Sequence, residues 1–222
     1  MATVLVSDII TRAQVNLQDA TTPGIRWPTV ELERWVNDAH KEIVNARPDA
    51  NTVVGTHACA SGIRQSVSSS FASALRLMDV VYNKSTGTSM IQIDRSELDD
   101  QRRSWPSESA TTAVSHFMTD ERDPRSFLVY PPAQAGTQLE VLYSATPAAV
   151  TGSNPINVPD GFANAILDYV LYRAYQKDAE YAGNAERAMM YYQAFMNGIG
   201  KKTEADVATV PTDKHTLVRQ PT

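Results

Sequence analysis

The most regular apolar pattern lies in residues 158–202. Phe162, Ile166, Tyr169, Val170 and Ala174 recur at spacings of three and four, which places them on one face of a helix. Pro159 and Asp160 supply its start signal, since a missing N–H and a carboxylate both suit the positive end of a helix. A second stripe follows at Ala188, Tyr192, Phe195 and Ile199, and Gly198 and Gly200 are expected to end that helix. Between the two stripes, Gly183 suits the left-handed residue after a helix, and Asn184 suits a cap on the next one. Each large apolar residue gains roughly 1.5–3 kcal/mol on full burial. Two helices cannot cover both stripes by themselves, so further helices are required.

The beginning of the chain supplies them. Ser7 is placed to cap a helix with Val6, Ile10, Ala13 and Leu17 on one face, and the turn-rich residues 18–24 close it. A second helix is predicted from Trp27-Pro28-Thr29, with Leu32, Trp35, Val36, Ala39 and Ile43 as its stripe and Pro48 as its stop. After Pro48 the pattern changes to short alternating or continuous apolar segments. They cover residues 52–57, 63–67, 75–82, 89–94, 127–130 and 139–143. Turn signals separate them at Ser61-Gly62, Thr86-Gly87, Pro131-Pro132 and Ala135-Gly136. A short helix is predicted across residues 94–105, where Ser96 and Asp99 loosely resemble a capping box. Residues 66–70 with Ser73 read as a polar surface loop.

The pattern predicts an α+β fold: a bundle of about four helices carrying an inserted antiparallel β-rich module and an extended C-terminal arm. The expected boundaries are 1–48 for the first helical pair, 49–157 for the insertion, 158–202 for the second pair and 203–222 for the arm. Residues 203–222 have no apolar stripe, contain Pro211 and Pro221, and mix charge signs, so they are expected to be extended on their own and to serve either as a frayed end or as a docking arm.

Composition narrows the class. The 222 residues are 42% hydrophobic and 20% charged, in keeping with a protein of one or two folded units. No apolar run is long enough for a membrane span, and no secretion signal is visible. The single cysteine, Cys59, excludes an internal disulfide and reads as a buried small hydrophobe in a reducing compartment. A net charge of -5 argues against tight binding of nucleic acid through many phosphates, though not against a surface that DNA slides past.

The search for chemistry finds no phosphate loop, nucleophile elbow, HExxH or CxxC motif. His40, His57, His116 and His215 lack metal-ligand spacing and read as surface or hydrogen-bonded residues, so neither metal nor cofactor is expected. Two acidic clusters stand out: Asp94, Glu97, Asp99 and Asp100, then Asp120, Glu121 and Asp123. Paired carboxylates can cleave a polysaccharide or hold a hard cation. Arg95, Arg102, Arg103, Arg122 and Arg125 lie beside them, which favours ion pairing at a surface or subunit interface. Tyr169, Tyr172, Tyr175, Tyr181, Tyr191 and Tyr192 exceed what one small bundle needs, and Tyr is enriched where subunits meet.

Three phrases carry a resemblance: WPTVELERWVNDAHKEIVNARPDA (residues 27–50), DPRSFLVYPPAQAGTQLEVLYSATP (residues 123–147) and VPDGFANAILDYVLYRAYQKDAEYAGNAERA (residues 158–188). In that order the chain resembles the head-to-tail adaptor, or connector, proteins of tailed bacteriophages, particularly short-tailed ones. The resemblance implies a structural, non-enzymatic virion protein made in the host cytoplasm and placed in the neck. It implies a homo-oligomeric ring, usually of twelve copies, below the portal protein. Such a ring extends the channel through which DNA passes without sequence-specific binding and docks the next tail or nozzle protein. It also implies a portal-binding arm containing Thr203, Val207, Val210, His215, Leu217, Val218 and Arg219.

Candidate subunit-interface residues are Tyr172, Tyr175, Tyr191, Arg102, Arg103, Asp99 and Asp100. A head-to-tail ring needs two complementary surfaces, and neighbouring acidic and arginine groups offer them. Two rivals stay open: another tail ring or nozzle component, and a cell-wall polysaccharide hydrolase using Glu97 with Asp99 or Glu121. A monomer or small oligomer is expected when the protein is expressed alone.

Overall fold

A computed structural model describes residues 2–20, 25–120, 122–181 and 183–209, with side chains as far as residue 200. Among them are five α-helices: α1 (Val6–Asn16), α2 (Thr29–Ala46), α3 (Arg95–Gln101), α4 (Ala163–Lys177) and α5 (Asn184–Thr209). The strands are β1 (Thr52–Ala58), β2 (Gly62–Ser66), β3 (Ala74–Asn83), β4 (Thr88–Ser89), β5 (Ile91–Gln92), β6 (His116–Thr119), β7 (Ser126–Ala133) and β8 (Gln138–Ala145). The fold is α+β and divides into two units, one of Met1–Ala39 with Thr151–Thr222 and one of His40–Val150.

In the first unit α4 and α5 run along each other, and α1 lies on α4. The predicted stripes are buried: Val6, Ile10, Ala13 and Leu17 on α1, Leu32, Trp35, Val36 and Ala39 on α2, and Phe162, Ile166, Tyr169, Val170 and Ala174 leading into and along α4. On α5 Ala188, Phe195 and Ile199 are buried, but Tyr192 is 39% exposed. Pro48 does stop α2, opening a short 3-10 turn at Pro48–Asn51.

The end signals worked differently from the sequence expectation. Ser7 is not a cap. Leu5 precedes the helix, and the N–H groups of Val6 and Ser7 donate to the Asn154 and Gly152 carbonyls at 3.0 Å each, so a distant turn satisfies them. The chain passes through a 3-10 turn at Asp160–Phe162 before α4 begins. The Asp160 carboxylate accepts instead from the N–H and hydroxyl of Thr3 and from the N–H of Val4, at 2.7–3.1 Å. These bonds, the Thr3 hydroxyl first, hold its carboxyl below the ordinary value.

Gly183 has the expected left-handed conformation, with φ of 85°. It also starts α5, since its carbonyl accepts the Arg187 N–H at 3.1 Å. Asn184 faces backwards, its Nδ2 donating to the Asp178 carbonyl at the end of α4 at 3.2 Å. Gly198 and Gly200 do not end the helix, which runs to Thr209. A Cβ at Gly198 would meet the Ala165 Cβ at 3.4 Å, so this glycine is a point of close approach to α4. The N-terminal loop is closed by Asp19, a buried acid whose Oδ1 accepts from Ile25 N–H at 3.0 Å and whose Oδ2 accepts from Arg26 and Trp27 N–H at 2.9 Å.

The second unit contains two four-stranded sheets, ordered β1-β8-β3-β4 and β2-β7-β6-β5. All pairings are antiparallel except β5 with β6, which is parallel. Leu77, Val80, Leu139, Val141 and Tyr143 of the first sheet share a core with Phe117, Phe127, Val129 and Ala133 of the second. The alternate residues Met118, Leu128 and Tyr130 face a second cluster with Leu98 of α3 and Trp105. The second sheet is therefore covered on both faces, which is why β6 (HFMT) lacks the polar alternation that would have revealed it.

In place of one strand over residues 89–94 there are two two-residue strands, β4 (Thr88–Ser89) and β5 (Ile91–Gln92), with Met90 buried between them. Pro131-Pro132 is not a turn but part of β7. The β6 pairing stops at Tyr130, and the β2 pairing jumps from Arg64↔Leu128 to Gly62↔Ala133. The prolines thus sit where no ladder N–H is needed. Gly62, Gly87 and Gly136 do mark turns, all with positive φ. Ser96 is no cap, because α3 starts at Arg95 after Asp94 and has no side-chain cap bond.

The loop clamp gives a direct test. Asp19→Ala leaves three N–H groups without their acceptor and should lower unfolding free energy by about 1–3 kcal/mol. Asp19→Asn should recover part of that loss in urea denaturation.

Candidate interaction surfaces

The tyrosines proposed for subunit contact are arranged as a ladder within the α4–α5 hairpin. Tyr175 and Tyr191 stack with ring centroids 5.6 Å apart and planes within 3°, and the Arg187 guanidinium lies 5.8 Å from the Tyr175 centroid. Tyr172 meets Tyr169 edge-on at 5.7 Å and Tyr192 at 5.1 Å. Tyr172, Tyr175 and Tyr191 are half-buried, so each spends one face on the hairpin and keeps another available. Burial raises the Tyr191 hydroxyl above its ordinary value, reinforced by Tyr175 and Asp168, and burial raises Asp168 against the attraction of Arg12. The outer face of α5 carries a stripe that the sequence reading missed: Met189, Tyr192 and Met196, all exposed. Their i, i+3, i+7 spacing was visible in the sequence.

The acidic and arginine groups around α3 divide in two. Asp99 is engaged inside the chain, its Oδ1 accepting from the Trp105 indole N–H at 2.8 Å and its Oδ2 from the Arg95 Nε–H at 3.2 Å. Arg102 donates to the Tyr130 hydroxyl and, at 3.1 Å, to Glu108 Oε1. Those two contacts, Tyr130 first, raise its already high pKa. Asp99 and Arg102 thus hold α3 and the residues after it to Trp105 and to Tyr130 of β7, while Asp100 and Arg103 are exposed.

In the loop before β7, Asp120 accepts from Arg122 N–H at 2.9 Å and Asp123 from Arg125 N–H at 3.4 Å. The Ser126 hydroxyl, above all, holds the Asp123 carboxyl below its usual range. These carboxylates act as turn caps. Beside them a cavity of about 300 Å³ is bordered by Arg64, Arg95 and Arg122 over Met118 and Phe127. Glu97 is exposed, while Glu121 lies outside the described residues. Among the described residues no group of three or more His, Cys, Asp or Glu is placed to hold a metal ion, and no helix is long and apolar enough to cross a membrane.

Of the arm, Thr203 and Val207 fall within the backbone of α5, so the expectation of an extended chain from residue 203 is corrected as far as Thr209. Val210, His215, Leu217, Val218 and Arg219 lie outside the described residues. Cys59 is buried, and burial pushes its thiol up to about 12. His57 shares a 2.9 Å hydrogen bond between Nδ1 and the Ser70 hydroxyl, and His116 Nδ1 one of 2.8 Å with Ser115. His40 departs from expectation: it is 1% exposed, and among the described residues neither ring nitrogen has a hydrogen-bond partner.

Compared with known families, residues 5–215 match the family model described as SU10 adaptor protein. No curated protein matches the chain.

Burial lowers the His40 pKa from 6.5 to about 4. The unfolded chain then binds the extra proton first, so the stability associated with neutral His40 is complete above pH 6.5 and declines as pH falls to about 4. The full loss is about 3 kcal/mol at 1.36 kcal/mol per pKa unit. Urea midpoints measured between pH 7 and 4 should fall more steeply for the native sequence than for His40→Leu, and the difference between the two curves isolates this residue.

Proposed function

The chain belongs to the SU10 adaptor protein family, and from that premise we propose that it is a structural head-to-tail adaptor in the neck of a tailed phage particle. The observation that carries this reading is the match across residues 5–215, which takes in both units rather than one module. Copies assemble as a ring below the portal protein, usually of twelve, with α1, α2, α4 and α5 acting together as one bundle. The ring continues the DNA channel and presents a platform to the next tail or nozzle protein.

Several physical features support it. The net charge of -5 suits a conduit, because a wall with many phosphate contacts would retain the DNA it must pass. The half-buried Tyr172, Tyr175 and Tyr191, with exposed Asp100 and Arg103, offer different surfaces of the kind a head-to-tail ring contact joins. The engaged state of Asp99, Asp120 and Asp123 gives those carboxylates structural work that polysaccharide cleavage would not require.

The C-terminal residues 203–222 are the portal arm in this reading, and α5 carries its first part as far as Thr209. An arm without a core of its own delays assembly until the portal is present. Deleting residues 203–222 should leave a folded protein whose circular dichroism loses only the helical signal of the last turns of α5 and whose β-module is unchanged, yet one that no longer co-sediments with assembled portal. Undiminished portal attachment by the truncated chain would remove the arm from the account, and failure of the full-length chain to attach would remove the adaptor role itself.

A further inference from the structure

The two sheets have four edges, and three of them carry devices that discourage pairing with another strand. On the edge formed by β3 and β4, the β3–β8 register shifts three times, leaving Leu75, Met78 and Val81 as extra residues at successive bulges. The edge strand β2 has an irregular register at Gly62/Arg64 and carries the charged Arg64. The remaining edge, β5, is two residues long. The edge strand β1 has none of these. It pairs with β8 in unbroken register at all seven positions from Thr52↔Ser144 to Ala58↔Gln138, and its sequence TVVGTHA holds no proline and no Lys, Arg, Asp or Glu.

The polarity of that edge follows from the register. Cys59 N–H donates to Thr137 O at 2.8 Å, so Val53, Gly55 and His57, in phase with Cys59, are the residues that bond β8. The N–H and C=O groups of Thr52, Val54, Thr56 and Ala58 therefore point away from the sheet. All four residues are exposed, and Val54 is 57% exposed.

We propose that β1 is a self-pairing edge, through which two copies of this chain join antiparallel about a two-fold axis at Gly55. The axis sets Val54 opposite Thr56 of the second copy and Thr52 opposite its Ala58. Every outward-facing residue then falls in a hydrogen-bonded pair, because all four lie in the same phase of the strand. Charge is matched as well. None of the seven β1 residues carries an ionised side chain, and Lys84, which reaches Thr56 from the neighbouring strands, is paired with Glu140 at 3.5 Å within each copy. The Lys84 ammonium also donates to Thr56 Oγ1 at 2.8 Å, which fixes that hydroxyl on the outer face beside the Val54 it would meet. β-branched residues opposite one another are favourable cross-strand neighbours. A two-fold contact closes on itself and does not propagate. It describes the protein before it joins a larger assembly, and it stands or falls independently of the ring.

The test uses the full chain with two variants. Thr56→Pro removes an outward donor without touching a bond to β8, and Val54→Lys places a charge at the seam. Sedimentation equilibrium should find a dimer for the native sequence, and each variant should weaken association roughly tenfold or more while keeping its circular dichroism and melting transition. Hydrogen exchange should show Val54 and Thr56 amides protected at high concentration and exposed on dilution, while the Gly55 and His57 amides stay protected throughout. A native monomer, a dimer that survives both substitutions, or Val54 and Thr56 amides whose protection ignores concentration would overturn the proposal.

Discussion

The helical unit depends on a clamp between two stretches about 150 residues apart in sequence. Val6 and Ser7 N–H groups donate to the turn at residues 152–154, Ile156 N–H returns a bond to Val4 O, and the Asp160 carboxylate holds Thr3 and Val4. The same turn is tied to α2 by Gly152 N–H donating to Glu33 Oε1 at 2.9 Å. These bonds satisfy the first donors of α1 and fix where α4 begins. Because the partners come from both ends of a 111-residue excursion, His40–Val150, the first helices gain their packing surfaces only when that excursion returns.

The excursion is stable for a different reason. Its two sheets share one apolar core, and the second sheet is buried on its other face by α3 and Trp105. Phe71 stacks on Tyr143 at 4.5 Å directly over Gly55, where a Cβ would come within 2.5 Å of the ring. That close approach requires glycine in the middle of β1. β1 keeps an unbroken register against β8, whereas the register of β3 shifts three times.

Much of this was legible in the chain. Wherever a 3.6-residue stripe was long, as at Leu32 to Ile43 or Phe162 to Ala174, the helix and its buried face agreed, because burying a stripe outweighs local preference. The legible strands were those with a single buried face or glycine-marked ends. What was hidden had nonlocal causes. Asp160 and Asn184 look like caps, but their acceptors and donors lie on residues that sequence spacing does not relate. Gly198 looks like a stop until Ala165 of the opposing helix is placed beside it. His40 carries no sequence mark of its burial, and β6 was masked by being covered on both sides. Among the candidate contact residues, types and neighbourhoods were readable, whereas the bonding of Asp99 and Arg102 to partners within the chain required coordinates.

A family match across both units, and a clamp that ties residues 3–7 to residues 152–160, fit the structural adaptor proposed above. The most direct measurement is an electron-microscopy reconstruction of the phage particle in which this chain carries a small tag in the exposed Thr86-Gly87 turn. A ring of tag densities is expected around the DNA axis between the portal and the next tail component. Tag density on the capsid shell or the distal tail, or its absence from the particle, would contradict it.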